Sequence, residues 1–414
     1  MSFDFLIYIF LSAISIFFGL IYFIKPNRVL PIFFVFGLLI PTSNQFMSYT
    51  SFNGIYFYDY FFISLTMYYL ISLLVNKKIF TKNIINILLG LSILLFYFLL
   101  AISNSVSIDK YLFRDLRPFI TLGCAFIFVS SIKISIISFK ALINSLIGVF
   151  LIKILFFIII LYGASYEDLY YQNNIFRYFD AVTFVASLLI ISFMFVKESM
   201  LKHVSNFSLH LVLALALVIV LISNLRILII SLGLVYLFFN KTNFIKKIIY
   251  LSVAISFFLF YSTIMNANRV LDANSSDVVA LQIVSRFAPA VEKIVEMKPY
   301  EYIYGLGVGT TFEIPWFEYR SLDTKLNTID STYLSLFVKY GMFSILILIL
   351  FFRLLLFNIN NRKIKKSFII FYVIIFLTMS SLYQSGTVFH FLFLNLLFLS
   401  LKNENTSHPL SINS

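Results

Sequence analysis

What most constrains this chain is the exclusion of charge from a succession of long apolar runs. They lie at roughly 5–24, 29–41, 55–75, 84–103, 118–132, 141–163, 181–196, 207–223, 225–239, 248–264, 329–352, 367–383 and 386–401. A straight transmembrane helix needs about 20 apolar residues. A membrane β-barrel strand instead alternates apolar and polar positions over about 10 residues, and these runs do not alternate. Only 12% of the 414 residues are charged and 61% are hydrophobic, where soluble domains carry about 25% charge. The expectation is therefore an all-α, polytopic integral membrane protein with about 12 or 13 transmembrane helices. The weakest run is 29–41, opened by Pro31 and closed by Pro41. The first run ends in "KPNR" without a small-residue cleavage site, so it is read as a retained helix and not a signal peptide.

The net charge of +13 does not indicate nucleic acid, because the Lys and Arg residues gather in short gaps between apolar runs. That is the positive-inside pattern. With Asn76–Lys78 placed in the cytoplasm, Lys197, Lys202, Lys241, Lys246, Lys247, Arg353, the run Arg362–Lys366 and Lys402 all fall on the same side. The C-terminus is then cytoplasmic. Four segments follow: N-terminal transmembrane helices over 1–265, a large external loop over 266–328, C-terminal transmembrane helices over 329–401, and a disordered tail over 402–414. Within the loop, Val278–Met297 has apolar positions at helical spacing and is expected to be an amphipathic helix on the outer membrane face. The single cysteine, Cys124, excludes an internal disulfide and a cysteine-rich metal site. The four histidines show no metal-ligand spacing. There is no phosphate-binding Gly-Lys-Ser/Thr loop, so ATP hydrolysis is not expected. Neither a metal nor another cofactor is called for.

Several polar residues stand out against this background. Arg226 follows the short break Ser223-Asn224 between two apolar runs. It is either an arginine snorkelling to the headgroups or a functional intramembrane charge. Arg286 lies on the expected amphipathic helix, and Arg177 precedes a helix on the same side. Guanidinium groups bind phosphate bidentately and keep their charge, so arginines collected at one membrane face suit a pyrophosphate headgroup. Gly305, Gly307 and Gly309 form a Gly-x-Gly-x-Gly run. It either cradles phosphate through backbone amides or lets the external segment double back. Asp330 opens the next apolar run, as a helix cap, as a carboxylate that takes a proton from a sugar hydroxyl, or as both. Lys153 lies mid-helix, where a carboxylate partner or a polar cavity is expected. Trp316 and Tyr333 are candidate aromatic faces for substrate, together with Tyr170, Tyr171 and Tyr319.

Taken in order, four stretches resemble the O-antigen polymerase (Wzy) and ligase superfamily: "NIFRYFDAVTFVASLL" (Asn174–Leu189), "LISNLRILIISL" (Leu221–Leu232), "SRFAPAVEKIVEMKPYEYIYGLGVG" (Ser285–Gly309) and "DSTYLSLFVKYGMF" (Asp330–Phe343). The likeness covers the C-terminal half. It departs from the family pattern at Ile227, where a glycine is usual. It also departs at Asp330-Ser331, where ligases carry His-Asn, which favours polymerase over ligase. The resemblance implies a glycosyltransferase C-type fold with the large loop in the periplasm and residence in the bacterial inner membrane. It implies undecaprenyl-diphosphate-linked glycans as donor and acceptor, no metal, and a chain-length regulator as partner. Arg226, Arg286 and Asp330 would be catalytic; Arg177, Gly305, Gly307, Gly309, Trp316 and Tyr333 would bind substrate. A lipid-linked-sugar transporter is the alternative from another class.

Overall fold

The computed structural model describes residues 3–22, 24–42, 46–75, 82–103, 111–117, 138–163, 180–223, 225–239, 276–314, 325–383 and 386–406, with isolated positions between them. They are mostly helical. The helices are α1 (Phe3–Tyr22), α2 (Pro26–Leu39), α3 (Met47–Thr50), α4 (Asp59–Val75), α5 (Lys82–Ser103), α6 (111–117), α7 (Phe139–Gly163), α8 (Ala181–Leu201), α9 (Asn206–Ile222) and α10 (Arg226–Phe239). They continue with α11 (Ser276–Glu296), α12 (Glu301–Tyr304), α13 (Thr332–Tyr340), α14 (Ser344–Leu355), α15 (Arg362–Thr378) and α16 (Thr387–Thr406). Among the described residues four segments are long and apolar enough to cross a bilayer: Phe3–Tyr22, Phe139–Ile159, Ala181–Leu201 and Thr332–Leu355.

The chain divides into two compact units. The first comprises 1–136, 284–357 and 376–392. In it α1 packs on α2 and α4, with Phe33 stacked on Phe61 at 3.7 Å between ring centres. Helix α2 begins at Pro26, and Pro31 lies inside it rather than at its start. A tight hairpin pairs Ser51–Phe52 with Ile55–Tyr56. Asn53 and Gly54 at its tip both take positive φ, 50° and 86°, as a two-residue turn that follows strand twist requires. A second small ladder pairs Phe312–Glu313 with Lys325–Leu326.

The apolar run 329–352 is not one continuous helix. A 3₁₀ turn at Gly341–Phe343 separates α13 from α14. Gly341 has φ 53°, and a side chain there would meet the backbone of Tyr302 and Ile303. Helix α12 occupies that space. Helix α11 matches the amphipathic segment expected from sequence, beginning two residues earlier. Its Phe287, Ala290, Ile294 and Met297 pack with Phe312, Ile329, Leu334, Phe337 and Val338 in a small core.

The second unit comprises 137–283, 358–375 and 393–414. In it α9 packs against α7 and α8, and α10 against α8. Asp180 caps α8 by accepting the Val182 N–H at 3.0 Å, and Ser205 caps α9.

Candidate functional site

The first unit contains two buried ionic clusters, one of which holds the segment that carries Asp330. In one, Asp115 on α6 accepts from Lys339 Nζ of α13, from Asn327 Nδ2 at 3.1 Å and from the Gly309 N–H at 2.7 Å. Lys339 also donates to the Asn327 carbonyl, and the Tyr340 hydroxyl donates to the Asp115 carbonyl at 3.2 Å. Asp115 and Lys339 are wholly buried. Burial pushes the Asp115 carboxyl up from its ordinary range, and the Lys339 ammonium, the Asn327 amide and the Gly309 N–H pull against that rise.

The second cluster begins two residues along the same helix. Arg117 Nε pairs with Asp59 at 3.2 Å, and its other nitrogens donate to the Tyr58 hydroxyl at 2.5 Å and the Tyr383 carbonyl at 3.5 Å. The guanidinium lies 4.1 Å from the centre of the Tyr56 ring, a cation–π contact. Asp59 also accepts the Tyr56 N–H, and the Tyr58 hydroxyl accepts the Gly386 N–H. Tyr383 joins the two clusters, since its ring lies 5.1 Å from Lys339 Nζ.

On this frame the glycine-rich stretch is a packing turn. Gly305, Gly307 and Gly309 all take positive φ. The N–H groups of Gly305, Leu306, Gly307 and Gly309 donate to Glu301, Val338, Lys339 and Asp115. A side chain at Gly305 would strike the backbone of Lys339 and Tyr340. Of the two readings of this stretch, the doubling-back turn describes the geometry, with its amides engaged by the chain itself.

Asp330 follows the Asn327 segment directly. It does not cap α13: Ser331 does so, accepting from the Leu334 N–H at 3.4 Å. Thr332 secures the same turn by donating to the Met379 carbonyl at 2.6 Å. The Asp330 carboxylate instead meets Arg286 of α11, Nε to Oδ2 3.6 Å, with both side chains substantially exposed. Tyr333, one turn along, sets its ring edge-on to Phe376 at 5.9 Å and is half-buried.

In the second unit Arg226 is the first residue of α10 and partly exposed. A guanidinium there adds to the positive end of the helix dipole. Lys153 has the carboxylate partner its position called for: it donates to Asp180 at 2.5 Å, and both are buried. Arg177, Trp316, Tyr170, Tyr171, Tyr319 and Cys124 lie outside the described residues. Among the described residues no group of His, Cys, Asp and Glu side chains is arranged to hold a metal ion.

Sequence reasoning missed Asp115, Arg117 and Asp59, which the fold makes central to the first unit. The one local signal was the pair of arginines around an aspartate in "FRDLR" (Phe113–Arg117), an unusual density of charge beside an apolar run. No curated protein and no solved structure matches the chain. Residues 120–407, more than half of its length, match the model of a family described as a family of unknown function (DUF6369). The chain therefore belongs to the DUF6369 family.

Proposed function

We propose that the protein is a membrane glycosyltransferase that joins undecaprenyl-diphosphate-linked oligosaccharide units into a surface polysaccharide such as O-antigen. The finer architecture belongs to the same proposal: about a dozen transmembrane helices of the glycosyltransferase C kind, the 266–328 loop in the periplasm, the C-terminus in the cytoplasm, and the bacterial inner membrane as its site. The observation that carries it is the Arg286–Asp330 pair. Two residues singled out for opposite charge and complementary chemistry meet at an accessible position, on a segment pinned from beneath by a buried network.

In this reaction a hydroxyl of the acceptor sugar attacks the anomeric carbon of the donor. A new C–O bond forms and the bond to the diphosphate oxygen breaks. Undecaprenyl diphosphate leaves with the electron pair, and Asp330 takes the hydroxyl proton. Charge grows on the leaving group, so preorganised cations lower the barrier. Arg286 supplies one. The family resemblance, and not the geometry, adds Arg226 as a second cation for the same role.

The test is the polysaccharide ladder of a deletion strain complemented with wild type, Arg286→Ala, Asp330→Asn or Arg226→Ala. Wild type restores long chains. The three variants are expected to leave a single repeat on the acceptor at normal protein levels, with losses of at least a hundredfold for a removed transition-state cation. Normal ladders from Arg286→Ala and Asp330→Asn overturn the assignment. Bare acceptor in the deletion strain would point to a ligase or transporter instead.

A further inference from the structure

We propose that α11 beds one side of its apolar arc in the lipid leaflet next to the loop, and turns Arg286 to the aqueous side. Phe287, Ala290, Ile294 and Met297 are already covered by the protein core. A second apolar stripe beside them is not covered: Val284 is 62% exposed, Val291 48% and Val295 74%. Their separations of seven and four residues put them on one line along the helix. The arc is thus about twice as wide as the protein beneath it uses.

Lipid is the occupant because the stripe continues into the exposed flank of a membrane span. The chain runs from α11 into α12, where Tyr300, Ile303 and Tyr304 are exposed. Tyr304 stacks on Phe343 at 6.0 Å, and α12 fits against Gly341. From there Met342, Ile345, Leu346 and Ile349 stand exposed along the span Thr332–Leu355. Tyrosines at such a corner match the aromatic belt of the membrane–water boundary. Lys298, its Nζ 6.0 Å from the centre of the Tyr300 ring, adds a cation at headgroup level.

At about 100° per residue, Arg286 is rotated by about 200° from Val284 and about 180° from Val295. It therefore leaves the opposite side of the helix, where Asp330 meets it. The pair stands about one helix diameter, some 10 Å, above the lipid contact. On the glycosyltransferase reading, that height presents it to the sugar part of a lipid-linked substrate. The bedding itself does not depend on that reading.

The test uses the full chain with its single tryptophan removed by Trp316→Phe, placed in vesicles of phosphatidylethanolamine and phosphatidylglycerol carrying doxyl-labelled phosphatidylcholine. Val295→Trp and Val291→Trp probe the stripe, and Glu296→Trp probes the polar side. The stripe probes are expected to emit blue-shifted and to lose emission to shallow doxyl labels, with little loss to acrylamide. Glu296→Trp is expected to show the reverse. Stripe probes quenched by acrylamide would place the stripe in water. Blue-shifted probes untouched by doxyl lipid would put a protein partner on it. Either result overturns the proposal, and neither bears on polysaccharide synthesis.

Discussion

Asp115 gathers Gly309, Asn327 and Lys339 from 194 to 224 residues away in sequence. Each donor fixes a different piece of chain: the glycine turn, the segment leading to Asp330, and α13. A buried charge left without its partner is costly, whereas a pair replaced together loses little. Asp115→Asn leaves the Lys339 ammonium buried and uncompensated, and should cost about 3–5 kcal/mol. Thermal unfolding in detergent is the measurement. Adding Lys339→Met should restore only part of the loss, because asparagine keeps one acceptor oxygen where Asp115 offers two, and one of the Gly309 and Asn327 donors then faces an amide NH2. No drop in melting temperature for Asp115→Asn would mean that the pair contributes nothing to folding. The Arg286–Asp330 pair is different in kind. Its side chains are 38% and 51% exposed, and such pairs contribute about 0–1 kcal/mol. Loss of function at those two positions can therefore be read as chemistry, and not as unfolding.

Between Asp330 and the membrane span, the element that matters is the start of α13. The Ser331 side chain accepts the N–H that would otherwise stay unpaired at the helix end, which leaves Asp330 for Arg286. Ser331→Ala should destabilise α13 by about 1 kcal/mol, and should be seen as faster amide exchange over Thr332–Leu336. Exchange unchanged from wild type would mean that the Thr332–Met379 bond alone holds the turn. Elements of this kind were legible to different degrees. The 3.6-residue apolar period of α11 was visible in the sequence, and its observed ends differ by one or two residues from those expected. So was the break before α10, because two polar residues interrupt an otherwise apolar stretch. The hairpin at Asn53-Gly54 carries a strong turn signal, but its second strand, Ile55–Tyr56, merges with the start of the apolar run 55–75. Helix α6 was not legible at all. Seven residues give too few turns for a period, and its charges are explained only by partners far along the chain. The same physics hid the split at Gly341, because its cause is the backbone of α12.

At the scale of the molecule, each unit holds a buried ion pair, Asp115–Lys339 in the first and Lys153–Asp180 in the second. Polar groups deep in an apolar chain persist when each finds its partner. Lys153 and Lys339 both lie inside apolar runs and show this need by position, whereas their partners, 27 and 224 residues away, do not show in the sequence. The proposed orientation rests on the sorting of cations among short gaps, a property of the whole sequence and not of any one contact. The proposed topology puts Lys298 and Lys363 on opposite sides of the membrane. Both are exposed, and Cys124 is the only cysteine. In a Cys124→Ser background, Lys298→Cys should react with a membrane-impermeant maleimide in intact cells whose outer envelope admits the reagent. Lys363→Cys should react only after the inner membrane is opened. The reverse pattern would invert the topology, and would put the Arg286–Asp330 pair on the cytoplasmic side, where periplasmic polymerisation has no use for it. Equal labelling of both positions in intact cells would mean that 298 and 363 face the same compartment. An odd number of spans would then have to be replaced by an even one between the loop and the Arg362–Lys366 run.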